Sequence, residues 1–213
     1  MSHLFVEVVQ THVTTNLPGH TESDDSTGII SDRHLDRLLA MVDQARDAGY
    51  EIIQPEVGAR TNRTRRQTPL TLVINPGPEL DVMKEEIFGP ILPVIVYDDL
   101  DMVIQSINAG ERPLGLYVYS LDEVLISKVL ESTISGGVCV NMSLLHGAIP
   151  QLPFGGNGNS GMGRHHSIEA FREFSNPRGV LVRGGSDNID AINPPYRTLE
   201  GMVSAIYSQI DGA

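Results

Sequence analysis

The sequence has a single cysteine, Cys139, few basic residues and no long apolar run. A lone cysteine excludes a disulfide within the chain and fits a reducing compartment. Lys and Arg total 15 against 27 Asp and Glu, a formal net charge of −12. An acidic surface repels nucleic acid and acidic membranes, so neither is expected as a partner. No stretch approaches the ~20 apolar residues that cross a bilayer. The opening "MSHLFVEVVQ" lacks a basic segment, and Glu7 breaks its apolar stretch, so it does not read as a secretory signal. A cytoplasmic protein is the expectation. Positive charge concentrates locally only in "ARTNRTRRQ", with Arg60, Arg63, Arg65 and Arg66. Such a cluster grips a phosphate or an acidic partner, or is a solvated loop. No aromatics interleave and no second basic patch supports it, which favours the loop.

The 213 residues, 40% hydrophobic and 20% charged, suit a sizeable globular domain with or without a tail. Helix and strand signals alternate. Leu4, Phe5, Val8, Val9 and Val13 fall on one helical face. A polar, turn-rich segment follows. Ser31 then reads as an N-cap, with Leu35, Leu38, Leu39, Val42 and Ala45 at helical spacing and Gly49 as the stop. "YEIIQ", "LTLVI", "ILPVIVY", "LGLYVYS" and "GVCVN" read as strands. A helix lies over "DDLDMVIQSINAG", with Asp98 or Asp99 near its cap and Gly110 closing it. Another opens at Ser120, where Glu123 completes a capping box and Leu121, Leu125 and Val129 mark the inner face. Apolar strands separated by helices predict an α/β fold, a largely parallel sheet with helices on both faces. The end of the chain reads as a tail with a short helix near Leu199–Ile210. No internal repeat and no low-complexity run is present.

"LPFGGNGNSGMGR" (152–164) contains G-x-G-x-x-G at Gly156, Gly158 and Gly161. A dinucleotide fingerprint needs a strand before it, a helix opening on its last glycine, and an acidic residue ~20 positions on. The lead-in "HGAIPQLPF" is no strand, and Phe174 lies near the acidic position. The other reading is a loop of positive-φ glycines passing close to something bulky.

Three motifs stand together in order: "EEIFGPILPV" (85–94), "GGVCVN" (136–141) and "LPFGGNGNSGMGR". In this order and spacing the chain resembles the C-terminal part of an aldehyde dehydrogenase. Within that superfamily it is most similar to the class 3-like and coniferyl aldehyde dehydrogenase branch. "SGGVCVN" followed by His146, "SGMG" and "FREFSNPRGVLVR" carry that detail. The resemblance runs from about Leu4 to Arg183. It implies a partial catalytic domain over 1–173, an oligomerisation strand over 174–185 that pairs with a neighbouring subunit, and a tail over 186–213.

The resemblance implies NAD or NADP as cofactor. Glu86 would hydrogen-bond the nicotinamide ribose, and Phe88 would pack beside the nicotinamide. A carboxylate suits ribose because it accepts from both hydroxyls. Taken alone, Glu86 reads as an exposed loop acid. Asn141, His146 and Phe154 fall where family members line or support the substrate tunnel. Phe154 reads also as a core residue and His146 as a structural histidine. His165 and His166 are adjacent, so in a helix they point apart and form no metal site.

The family reaction oxidises an aldehyde to a carboxylic acid. A thiolate attacks the carbonyl, hydride passes to the nicotinamide, and a glutamate-activated water hydrolyses the thioester. Coniferaldehyde-type aromatic or medium-chain aldehydes are the substrates the branch implies. The 213 residues contain no Gly-Gln-x-Cys, and the family's base and Rossmann domain have no counterpart here. Cys139 falls in a strand among apolar neighbours, where a thiol is inert. The chain is thus expected to bind the nicotinamide side of the cofactor only weakly and to be inactive alone. The alternative is a non-catalytic protein that assembles with a full-length relative through its sheet edge. A stand-alone nucleotide module built on the glycine loop is a third, weaker reading. In either of the first two, an apolar patch or a self-associated dimer is expected.

Overall fold

The computed structural model describes residues 2–182 and 199–210. The chain divides into two compact units, Met1–Ser106 and Ile107–Ala213. The first contains helices α1 (Ser2–Asn16), α2 (Asp32–Asp47) and α3 (Asp81–Lys84), with strands β1 (Glu51–Ile53), β2 (Thr71–Ile74) and β3 (Ile91–Val94). The Ser31 side chain accepts from the His34 amide at 3.3 Å and starts α2. Leu35, Leu38, Met41, Val42 and Ala45 form its buried stripe. Gly49, at φ +86°, turns the chain back. Leu38, Met41, Val42 and Ala45 of that stripe meet Val73, Leu80, Val82 and Ile91 in one core cluster, with Tyr50, Ile52 and Ile87 against it. On α1 Val13 is buried, while Leu4, Phe5 and Val8 are exposed.

The sheet of this unit runs β1-β2-β3. β2 and β3 are parallel, Thr71 opposite Ile91, as expected. β1 departs from the expectation: it pairs antiparallel with β2, Glu51 opposite Ile74. The physical reason lies in the connection. No helix intervenes between β1 and β2, so no crossover exists to return the chain in the same direction.

The connection contains the arginine loop, and it is not simply solvated. Asn62 and Gln67 pair as a bridge. Arg63 reaches Asp36 at 2.7 Å, Arg65 binds Asp24 and Gln67, and Arg66 Nε donates to the Ile29 carbonyl at 2.7 Å. Gln67 is buried and donates to the Ser23 carbonyl at 3.0 Å. The arginine forks therefore fasten the 23–29 segment to the 62–67 turn. The hydrogen bond and charge of Arg65 hold the Asp24 carboxyl below its ordinary range.

Helix α4 (Leu100–Ala109) crosses the boundary between the units. The second unit continues with β4 (Gly115–Val118), α5 (Glu123–Ser132), β5 (Gly137–Val140), α6 (Ser167–Glu173) and α7 (Leu199–Ile210). β4 and β5 are parallel, Gly115 opposite Gly137, and α5 makes the crossover. The start of α5 differs from the sequence reading. Asp122 is the cap, its Oδ1 accepting from Val124 and Leu125 amides at 2.9 and 3.2 Å. Ser120 instead accepts from the Asp122 amide at 3.0 Å, and Leu121 is exposed rather than inward. Asp outcompetes Ser because its carboxylate meets two helix N–H groups near the positive end of the dipole. Among the described residues the strands form a three-stranded and a two-stranded sheet, with the β2–β3 and β4–β5 pairs parallel as expected. Residues 176–182 follow α6 without regular structure, and the remainder of the expected oligomerisation strand, 183–185, lies outside the described residues. Among those residues no helix is long and apolar enough to cross a membrane.

Candidate functional site

The two residues expected at a cofactor, Glu86 and Phe88, share the loop between α3 and β3. Both are exposed, Phe88 at 77%. Glu86 makes no hydrogen bond or ion pair with any described residue, so its carboxylate is free to accept. Phe88 sits at φ +51°, a conformation that a bulky residue adopts only under constraint. The constraint comes from α2. Arg37 Nη2 donates to the Ile87 carbonyl at 2.6 Å, and Nη1 donates to Glu85 Oε2 at 3.2 Å. One residue on, Leu38 is so close to Gly89 that an added Cβ would stand 2.4 Å from Leu38 Cδ1. Residues 85, 87 and 89 are thus tied to α2, and 86 and 88 project between the ties. Pro90 passes the chain into the sheet, its carbonyl accepting from the Thr71 amide at 2.9 Å.

The three residues expected at a substrate tunnel lie in the second unit, and the structure brings two of them together. His146 is buried, and its ring lies 5.5 Å from that of Phe154 and 5.9 Å from that of Tyr117. It occupies the gap left by the paired glycines of β4 and β5. A Cβ on Gly137 would stand 2.4 Å from His146 Cδ2, and one on Gly115 would stand 3.4 Å from Cε1. His146 Nδ1 faces Cys139 Sγ at 3.3 Å, while Nε2 is buried with no partner among the described residues. Cys139 is buried, as expected, but its surroundings are not purely apolar. Phe154 is half-buried, and its ring also meets His165 at 5.2 Å.

Asn141 has a different position. It is exposed at the end of β5 with φ +56°. Its Oδ1 accepts from the Ser120 amide and its Nδ2 donates to the Ser120 carbonyl, both at 2.9 Å. Its own amide donates to the Val118 carbonyl at 2.8 Å. Both side-chain groups are therefore engaged in clamping the ends of β4 and β5. Asn75 ends β2 in the same way, at φ +47°, with its amide on Val94 and its Oδ1 accepting from Val96 at 2.8 Å.

The glycine loop closes on itself. Phe154 and His165 pair as a bridge at its neck, each amide 2.8 Å from the other's carbonyl. No strand leads into it, and α6 begins only at Ser167, so the fingerprint context is absent. Gly158, Gly161 and Gly163 take positive φ, which accords with the alternative reading. Gly163 lies against the Glu173 side chain, where an added Cβ would stand 2.5 Å from Oε1, while Gly161 approaches the loop's own backbone at Gly156. A Cβ on Gly156 would meet the Ser160 carbonyl oxygen at 2.1 Å, and one on Gly155 the Gly163 oxygen at 2.2 Å. His165 and His166 precede the helix instead of lying in it, with rings 4.3 Å apart edge to face.

The sequence reading missed Arg37, Asn75 and the Cys139–His146 contact. Arg37 carries no local signal, because an arginine on the polar side of an amphipathic helix reads as solvent-facing. "VINPG" and "CVNMS" do contain a shared signal: an asparagine directly after an apolar strand favours the left-handed turn that ends it.

The aldehyde dehydrogenase family model matches residues 1–180. A probable coniferyl aldehyde dehydrogenase of Caulobacter vibrioides is 39% identical over 97% of this chain and 43% of its own length. The dimeric NADP-preferring aldehyde dehydrogenase of Mus musculus is 40% identical over 76% of this chain and 34% of its own. Among solved structures, the substrate-bound state of Staphylococcus aureus AldH aligns with a TM-score of 0.68 at 30% identity, covering 94% of this chain and 42% of that one. The chain thus spans less than half the length of the curated relatives it matches, 43% for the Caulobacter protein. This chain belongs to the aldehyde dehydrogenase family.

Proposed function

We propose that this chain supplies the nicotinamide-ribose contact and substrate-side supports of an NAD(P)-dependent enzyme that oxidises aldehydes to carboxylic acids. The observation that carries this reading is the 85–90 loop, with Glu86 free and Phe88 exposed in a constrained conformation. These residues fit the cofactor: an unpartnered carboxylate accepts from the ribose hydroxyls, and an exposed aromatic ring packs against a flat heterocycle. The nicotinamide, when bound, supplies the hydride acceptor. Aromatic aldehydes of the coniferaldehyde type are the substrate class, on the strength of the coniferyl relatives at 37–39% identity. In the second unit, His146 and Phe154, packed on each other, and Asn141, which fixes the strand ends, take the substrate-side role. Residues 174–185 serve as a strand for a neighbouring subunit, consistent with exposed Val180, Leu181 and Val182. The protein works in the cytoplasm, where its lone thiol stays reduced.

The test is a chimera. The chain is fused behind the part of the Caulobacter relative that precedes the matched stretch, and NAD(P)H formation from coniferaldehyde is followed at 340 nm. Turnover that Glu86→Gln lowers at least tenfold supports the reading. A folded chimera that turns over equally with Glu86→Gln and with Phe88→Ala removes it.

A further inference from the structure

Arg37 makes two directional contacts, and they fall on either side of Glu86, whose carboxylate has no partner among the described residues. Nη1 binds the Glu85 carboxylate at 3.2 Å and Nη2 the Ile87 carbonyl at 2.6 Å. The guanidinium is half-buried, and Nη1 also lies 3.9 Å from Met41 Sδ on the same face of α2. A planar fork that engages two groups at once fixes direction as well as distance, which a lysine's point charge does not. Ile87 is packed against the core below, and Leu38 closes on Gly89. With 85, 87 and 89 held, Glu86 and Phe88 are left exposed between them. The positive φ of Phe88 is the strained conformation such holding sustains.

We propose that Arg37 is a positioning residue for nicotinamide-nucleotide binding: its guanidinium ties Glu85 and Ile87 to α2, so that Glu86 and Phe88 are pre-set to receive the nucleotide. The proposal rests on the cofactor reading of the 85–90 loop. Neither Arg37 nor α2 touches the nucleotide; Arg37 acts through the loop. Without the fork the loop samples other conformations, and affinity falls in proportion to the fraction that remains competent. A competent fraction of about one in ten weakens binding about tenfold.

The experiment uses the whole 213-residue chain labelled with 15N, as wild type, Arg37→Met, Arg37→Lys and Glu85→Gln. Arg37→Met keeps the apolar stem. Arg37→Lys keeps the charge without the fork. Glu85→Gln removes the charge from one tie, at an exposed side chain, and leaves a neutral amide acceptor. The first readout is loop order without ligand: heteronuclear NOEs over 85–89 and the strong intraresidue HN–Hα NOE that marks the positive φ of Phe88. The second is the shift of the Glu86 and Phe88 amides on adding nicotinamide mononucleotide. The expected result is a loosened loop and a lost Phe88 signature in Arg37→Met and Arg37→Lys, partial loosening in Glu85→Gln, and unchanged β2 and β3 amides. Nucleotide affinity falls about tenfold in Arg37→Met. A loop as ordered in Arg37→Lys and Glu85→Gln as in wild type overturns the positioning role. If the nucleotide moves no amide of the wild-type loop, the cofactor reading fails instead, and the loop-order readout still decides what Arg37 does.

Discussion

Replacing Asn141 by alanine tests whether this residue clamps the strands or is kept for a ligand. Its side chain makes two hydrogen bonds to the Ser120 backbone, both at 2.9 Å, from a residue at φ +56°. Each bond contributes about 0.5–1.5 kcal/mol net. Alanine in the left-handed region costs about 1 kcal/mol more than asparagine, which tolerates it. Asn141→Ala should therefore destabilise the β4–β5 pair by about 2–4 kcal/mol. Asn141→Asp keeps the acceptor but sets a carboxylate oxygen against the Ser120 carbonyl, so it too should loosen the pair. Native-state hydrogen exchange is the assay, because the loss should be confined to amides of β4 and β5. The amides of β2 and β3 serve as an internal reference in the other unit. Protection unchanged within about 0.5 kcal/mol in Asn141→Ala would refute the clamp.

Further outcomes follow from the same contacts. Gly137→Ala would drive a Cβ to 2.4 Å from His146 Cδ2, so the imidazole must leave its seat; Cys139 should then react faster with a thiol reagent, at a cost of about 1–3 kcal/mol in stability. Asp24 has a folded-state pKa below its unfolded value, so its contribution is present above the ordinary carboxylate range and is lost as pH falls through the folded value. Acid unfolding of wild type should steepen there relative to Asp24→Asn, and identical acid profiles would contradict it. The hydrogen bond from Tyr50 to the Glu79 carboxylate at 3.0 Å, with burial and the Glu79 charge adding, raises the Tyr50 value. That contribution is present below the ordinary tyrosine range and is lost as pH rises through the folded value. Glu79→Gln should bring one ionisation at 295 nm back toward the ordinary value.

The sequence made much of the fold legible where a single local force decides. The stripe of α2 is visible because burial alone sets its spacing. The apolar runs of β2, β3, β4 and β5 are visible for the same reason. The direction of β1 was not legible, because it depends on what the 54–70 connection does after it leaves the strand. The start of α5 was blurred because Ser120 and Asp122 both make caps and only competition between them decides. At the site, "EEIFGP" pointed to the exposed loop, but nothing in it pointed to Arg37, which is 48 positions from Glu85 in sequence. The role of His146 emerged only in three dimensions. Its seat is made by glycines from two different strands, and no spacing along the chain encodes that pairing.

The account assigns cofactor and support roles to this chain and gives Cys139 a buried place in β5 against His146. The decisive measurement follows NADH and NADPH formation at 340 nm with the 213-residue chain alone, given coniferaldehyde- and benzaldehyde-type substrates. No turnover with either cofactor is expected. Turnover that disappears in Cys139→Ser would contradict it, because the buried thiol would then be the nucleophile.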